Sequence, residues 1–476
     1  MKWLVYFWLY VIYFFMSKFH FSNSNNLLSW QSSYSNLFRL QKRLFKSVVL
    51  GDLSKSLKIQ NLIINSNSAR LLAIRETTQV SFNKKISGID GKFSLNFFER
   101  LELNNFLRMN VKNWFPNKLK QVCLTESSTG KIKYFNIFTI SDRTWQILVS
   151  FALCPGNEAT FHPRNFSFKN KNMLFDLKNI LFLNLGKSSF GIKKRVLIIS
   201  FKKCFRKLSS DFYLKKIIAP RYIKLGISRF LNFVEFYDFI KDKANFNVLF
   251  FLLSNIVLNG VESLHPCVRH NYSLLFFLTP NDNEKIIVNN FSNFLSLSGL
   301  SPIGKKVSLF FTGSSFDFLD WSFKVLKNGD IFCIPSYDNY QKFLFKIKHI
   351  INNSNYGSRI KSAKITPIIA DWKNYNQFCN MQSLRLSLFF VKKKTFQIFN
   401  KESKQDSYSI KKLINESFSN DVFKIEFSNL VSERTFSFDH LSFGKDFIFE
   451  NFIFKMNKNF KADFICIHCG MNTKNI

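Results

Sequence analysis

Between residues 30 and 78 apolar side chains recur every three or four positions. Leu37, Leu40, Leu44 and Val48 form one stripe, with Arg39, Lys42, Arg43 and Lys46 filling other faces; that period predicts an amphipathic helix. Gly51-Asp52 breaks it. The runs 53–64 and 66–75 predict two more helices, the second carrying Arg70 and Arg75. Residues 83–92 hold two glycines and read as a turn-rich link. Alternation over 131–140 predicts strands, and the apolar run within 195–200 predicts a central strand buried on both faces. Residues 274–278 repeat that pattern behind a polar Arg269-His270-Asn271. Beyond Trp321 the pattern returns to basic helices over 340–351 and 358–379. From 395 to 476 the chain is rich in Ser, Asn, Lys and Phe with weak periodicity, which predicts a poorly ordered tail. No internal repeat is visible.

Charge changes this picture first. The 476 residues carry 68 Lys+Arg against 31 Asp+Glu, a net +37 spread along the chain. Such a field attracts polyanions, nucleic acid or an anionic membrane surface. A second account stands beside it. With 61 Phe but only 16 Gly and 9 Pro, the usage follows AT-rich codons, so codon drift in an organelle-like genome contributes part of the Lys excess. An apolar fraction of 46% is ample for buried cores. Eight thinly spread cysteines do not form a secreted disulfide framework and suit a reducing compartment. Residues 3–16 are wholly apolar or aromatic, shorter than the about 20 residues of a membrane span. They read as an extension packed on the body, with peripheral membrane attachment as the alternative.

Several segments, in collinear order over roughly residues 30–395, carry a resemblance. They are Phe38-Arg39-Leu40-Gln41-Lys42-Arg43-Leu44-Phe45-Lys46; Ser68-Ala69-Arg70-Leu71-Leu72-Ala73-Ile74-Arg75; Gly88-Ile89-Asp90-Gly91-Lys92; and Thr139-Ile140-Ser141-Asp142-Arg143 leading to Glu158-Ala159-Thr160-Phe161-His162-Pro163. Further on come Ser254-Asn255-Ile256-Val257-Leu258-Asn259-Gly260, Phe316-Asp317-Phe318-Leu319-Asp320-Trp321 and Thr366-Pro367-Ile368-Ile369-Ala370-Asp371-Trp372-Lys373-Asn374-Tyr375. Together these resemble the group II intron-encoded reverse transcriptase/maturase family. The AT bias and reduced motifs are similar to plastid maturase-like proteins of euglenoids.

The resemblance implies an α+β architecture. Its expected parts are an apolar extension over 1–26, basic N-terminal RNA-binding helices over 27–110 and reverse-transcriptase-like fingers and palm over 111–310. A helical thumb and maturase domain X follow over 311–395, then a degenerate tail over 396–476. It also implies a metal-binding Asp where Ile199-Ser200-Phe201 has Ser200, and a Tyr-Ala-Asp-Asp sequence where this chain has His270-Asn271-Tyr272-Ser273. Two-metal phosphoryl chemistry needs carboxylates, and a hydroxyl is a poor magnesium ligand. Ser200, Tyr272 and Ser273 are therefore expected to mark a lost polymerase site, with no catalytic residue, metal or cofactor.

Cys466-Ile467-His468-Cys469-Gly470 offers half of a zinc site and reads as an HNH-like remnant without metal. No nucleophile elbow, P-loop or dinucleotide fingerprint occurs. His162 and His265 each adjoin a proline with no acid partner evident, and a structural role is expected for both. The expected partner is intron RNA of organellar precursor messengers, of group II or group III type, in a plastid or alternatively a mitochondrion. The residues implied in RNA contact are Arg39, Lys42, Arg43, Arg70, Arg75, Lys361, Lys364, Lys373 and Tyr375, with Trp372 expected in the core. A structural subunit of an organellar ribonucleoprotein is the alternative role.

Overall fold

The computed structural model describes residues 24–80, 86–92, 94–125, 132–167, 171–206, 210–233, 248–377, 379–380, 382–402 and 406–418. Residues 3–16, Cys466 and Cys469 lie outside them.

Helices α1 (Ser24–Val49), α2 (Leu53–Asn65) and α3 (Asn67–Arg75) occupy the predicted amphipathic runs. Gly51 ends α1 in the left-handed conformation, φ +76°. Its N–H donates to Val48 O and the Asp52 N–H to Ser47 O, each at 3.0 Å, the paired bonds that close a helix around a glycine. Asp52 then caps α2 by accepting from Lys55 N at 2.9 Å. Two residues thus stop one helix and start the next, which folds Leu37, Leu44 and Val48 against Ile59 and Ile63.

Helix α4 (Phe97–Asn110) and the hairpin β1 (Lys120–Thr125)–β2 (Ile132–Ile137) follow, then α5 (Ile140–Glu158). The alternation seen over 131–140 ends at Ile137, because the Thr139 side chain caps α5. Pro155 lies inside α5 and has no N–H to give to Phe151 O. Gln41 Nε2 donates to that oxygen at 2.9 Å instead. Gln60 Nε2 similarly bonds Ala152 O at 3.2 Å and Ile218 O at 2.7 Å. The buried helix is thereby tied to α1 and α2 through its own irregularity.

After α6 (Lys171–Leu185) comes β3 (Arg195–Ser200), then α7 (Ser210–Lys216), α8 (Arg221–Phe233), α9 (Val248–Leu258), the hairpin β4 (Cys267–His270)–β5 (Ser273–Leu278), α10 (Glu284–Leu297) and β6 (Lys306–Phe311). These strands form one antiparallel sheet in the order β4-β5-β3-β6. The predicted buried strand is central, and its apolar run has two destinations. Leu197 and Ile199 with Leu274, Phe276 and Leu278 face one core, shared with α1–α5 and α9. Val196 with Leu275 and Phe277 face the other. An unbroken apolar strand is what burial on both faces requires.

The second core departs from the sequence expectation. Residues 311–395 do not begin helically: β7 (Phe316–Phe318), β8 (Trp321–Val325) and β9 (Ile331–Pro335) form a three-stranded antiparallel sheet. Helices α11 (Tyr337–Ile351), α12 (Ser358–Tyr375), α13 (Gln382–Glu402) and α14 (Ser407–Ser417) follow. Position 396 is not a boundary, because α13 runs through it. Phe399, Ile410, Ile414 and Phe418 are buried in the second core. The architecture is α+β. No helix among the described residues is long and apolar enough to cross a membrane.

Candidate nucleic-acid interface

Among the cations on α1, Arg39, Arg43 and Lys46 are exposed and Lys42 is half-buried. Their spacing puts them on one side of the helix, opposite Leu37, Leu44 and Val48. Exposed Lys55 and Lys58 on α2 add to the positive charge of this helical pair.

Arg70 and Arg75 are placed differently from the expectation. Arg70 is buried, its Nε donating to Asn104 Oδ1 at 3.1 Å and a terminal nitrogen to Asn65 O at 2.8 Å. It fastens α3 to α4. Burial, then repulsion from Arg108, lowers its pKa. Arg75 is buried with its guanidinium 4.5 Å from the centre of the Trp30 ring, and burial lowers its pKa as well. Both arginines serve internal packing, because α3 is enclosed by α1, α4 and α5.

The C-terminal set divides the same way. Lys361 is fully buried and donates to Ile351 O, the last carbonyl of α11, at 2.7 Å. A cation at a helix C-terminus satisfies a carbonyl that has no helical partner. Lys364 is exposed, with Nζ 3.3 Å from the centre of the Tyr356 ring. Lys373 is half-buried. Tyr375 is half-buried and stacked on Trp321 at 5.1 Å. Burial and the Asp320 carboxylate raise its pKa. Trp372 is in the core as expected, stacked on Phe343 at 4.2 Å and donating to Asn339 Oδ1 at 3.2 Å.

One face of α11 escaped sequence reasoning. Lys342, Phe345, Lys346 and His349 are all exposed, with the Phe345 and His349 rings parallel to within 2°. Tyr340, Phe343, Leu344 and Ile347 are buried behind them. The signal was present as the 3.6-residue period inside 340–351, where positions 342, 345, 346 and 349 share the polar side. Two lysines flanking a solvent-facing aromatic pair suit phosphate contact and base stacking together.

The expected lost site is an open cleft of about 290 Å³ lined by Ser200, Lys202, His270, Asn271, Tyr272, Ser273, Leu319, Asp320 and Tyr375. Asn271-Tyr272 form the two-residue turn of the β4–β5 hairpin, with Asn271 at φ +52°. Asn accepts that conformation more readily than most residues. The Tyr272 ring packs edge-on against Phe205 at 5.3 Å, and its hydroxyl lies 3.2 Å from Ser254 Oγ. Burial pushes its pKa up to about 12. Burial and the neighbouring Arg269 push His270 down to about 4, so the imidazole is neutral near pH 7. Behind the turn, Arg269 and Glu262 form a fully buried ion pair, and Arg269 also donates to Asn255 Oδ1 at 2.8 Å. The cleft's polar groups are hydroxyls, an amide, a neutral imidazole, the Lys202 amine and one carboxylate. That set does not fit a two-magnesium centre, which needs carboxylate oxygens bridging paired ions. Among the described residues no cluster of three or more His, Cys, Asp or Glu side chains could hold a metal ion. His265, expected without an acid partner, has one: its Nε2 lies 3.5 Å from an Asp282 oxygen.

Residues 26–107 match the N-terminal domain of reverse transcriptase. The chain is 45% identical to maturase-like protein 1 of Euglena gracilis over 467 residues, covering 96% of this chain and 99% of that one. It is 42% identical to maturase-like protein 1 of Euglena longa over 464 residues, with 96% and 99% covered. At that identity over nearly the whole of each chain, the protein belongs to the maturase-like protein 1 family.

Proposed function

We propose that this protein is a splicing cofactor that binds the folded intron RNA of organellar precursor messengers and performs no polymerase chemistry. In this reading β3–β6 and their helices correspond to a reverse transcriptase palm, and α11–α14 to the maturase domain X region. The introns are of group II or group III type and the compartment is a plastid. The observation that carries the reading is a contrast within one molecule. Cationic faces remain open on α1 and α11, whereas the cleft presents Ser200, Tyr272 and Ser273 where a polymerase of the resembled family has carboxylates. An intron RNA catalyses its own transesterification, so such a cofactor has only to stabilise the folded RNA. Lys and Arg supply phosphate contacts, and exposed rings supply stacking for unpaired bases.

The relatives' name, maturase-like, supports the same role. Ultraviolet crosslinking of the protein in organelle extract, followed by sequencing of the bound RNA, tests it. Reads concentrated in introns are expected. Diffuse or ribosomal reads would favour a structural ribonucleoprotein subunit instead, and primer extension by the pure protein would overturn the non-enzymatic reading.

A further inference from the structure

Cys333 on β9 and Cys379, four residues beyond the end of α12, are buried with their sulfurs 3.6 Å apart. They are 46 residues apart in sequence. The Asn380 N–H donates to Cys333 O at 2.7 Å, so the two backbones lie side by side at that point. A disulfide sets its sulfurs about 2.05 Å apart, so sulfurs already 3.6 Å apart have little distance left to close. The hydrogen bond between the two sulfurs and burial raise the Cys379 thiol's pKa, and the positive charge of Lys178 on α6 opposes that rise. The other described cysteines, Cys123, Cys154, Cys204 and Cys267, sit on separate elements.

We propose that Cys333 and Cys379 are a redox site that forms a reversible intramolecular disulfide with hydrogen peroxide as oxidant. Peroxide is small enough to enter where a protein disulfide donor is not. One thiolate attacks the O–O bond, forming an S–O bond and releasing hydroxide, which leaves as water with the proton of the attacking thiol. The second thiol loses its proton as its sulfur attacks the sulfenic sulfur; the S–S bond forms, the S–O bond breaks, and the second water departs. Two thiols and one peroxide give one disulfide and two waters. The sulfurs lose two electrons and the peroxide gains them.

The bond would fasten the end of α12 to the β7–β9 sheet. That end carries Tyr375, which stacks on Trp321 of β8 and lines the cleft, so oxidation fixes one wall of the cleft. Reduction frees it. The site stands on its own geometry, whatever RNA the protein binds.

Peptide mass mapping of the full chain without reductant is the direct test. The reduced protein is treated with hydrogen peroxide, alkylated and digested. A peptide pair joining Cys333 to Cys379, lighter by two hydrogens and separated again by dithiothreitol, is expected. Closing a loop of this length should also raise the melting midpoint by roughly 5 °C, and Cys333→Ala and Cys379→Ala should each abolish that rise. The proposal is overturned if these cysteines stay alkylatable, go to sulfinic acid singly, or join Cys466 or Cys469 instead. A midpoint rise that survives in both alanine variants overturns it equally. The peptide map needs no variant, so misfolding of either substitution leaves the test intact.

Discussion

Ser200 and Ser273 are register partners across the β3–β5 pair, and both line the cleft. A carboxylate on each strand at this place would make a paired metal site; two hydroxyls make a neutral, hydrogen-bonding floor. Replacing both, Ser200→Asp with Ser273→Asp, puts like charges directly opposite, which is destabilising between strands. The double variant should melt several degrees below the parent without magnesium and recover with it, by binding linkage. The parent's midpoint should not move with magnesium. Differential scanning fluorimetry with and without the ion reads both, and a magnesium-dependent rise in the parent would contradict the non-metal account of the cleft.

The cations of the N-terminal helices separate into two kinds that mutation should tell apart. Arg39→Ala and Arg43→Ala remove exposed charge and should change stability by less than about 0.5 kcal/mol. Each should weaken intron RNA binding and lower the slope of log affinity against log salt by about 1 for every phosphate left without its cation. Arg70→Ala should do the reverse. It leaves Asn104 and the Asn65 carbonyl without their donor, at a cost of roughly 2 kcal/mol. Filter binding across salt, beside urea denaturation, checks the pair of outcomes.

These contrasts also mark how far the sequence could be read. The helices α1–α3, the central strand β3 and the strand β5 were legible because their apolar periods are uninterrupted and their breaks, Gly51-Asp52 above all, are local. The sheet β7–β9 was not, although Phe316, Phe318, Trp321, Phe323 and Val325 are buried in alternation. Its strands span three to five residues, too short for a period to stand out. Helix α14 was hidden by composition, since Ile410 and Ile414 at four-residue spacing are embedded among Ser, Lys and Asn. Ser200, Tyr272 and Ser273, singled out together in the sequence, line one cleft. The cationic surface was legible only by charge, and charge does not say which way a side chain turns. Arg70, Arg75 and Lys361 turn inward because partners distant in sequence, or a helix end, need their donors. Phe345 and His349 were missed because an exposed aromatic reads as a core residue until the opposite face is known to be filled.

His270 sets a pH dependence whose sign is fixed by burial. Its pKa falls from the ordinary 6.5 to about 4 in the folded chain, so the unfolded chain binds the proton more readily. Between pH 6.5 and 4 the unfolded state takes up protons that the folded state refuses, and stability falls as pH falls. The contribution, on the order of 3 kcal/mol, is fully present above pH 6.5 and lost progressively toward pH 4. His270→Asn should flatten that part of the curve. Urea midpoints measured from pH 7.5 to 4 check it, and a parent curve no steeper than the variant's would rule out this origin.

The Glu262–Arg269 pair should be the most sensitive ionic contact among the described residues. Both side chains are fully buried, and Arg269 also reaches Asn255 at 2.8 Å. Its backbone is equally committed, with its N–H bonded to Arg164 O at 3.1 Å and its carbonyl accepting from Phe166 N at 2.8 Å. Removing one charge strands the other in a low-dielectric interior, at a cost of about 3–5 kcal/mol. Glu262→Gln keeps the volume and should lose close to 3 kcal/mol. Replacing both, Glu262→Leu with Arg269→Met, removes the stranded charge and should recover most of that loss. Guanidinium unfolding of the three proteins measures the coupling, with little change in slope expected. Because Arg269 precedes the His270–Ser273 turn, the single variant should also disturb the cleft, raising the exposure of Tyr272 fluorescence before global unfolding. If Glu262→Gln unfolds with the parent's midpoint, the pair does not hold β4 in place.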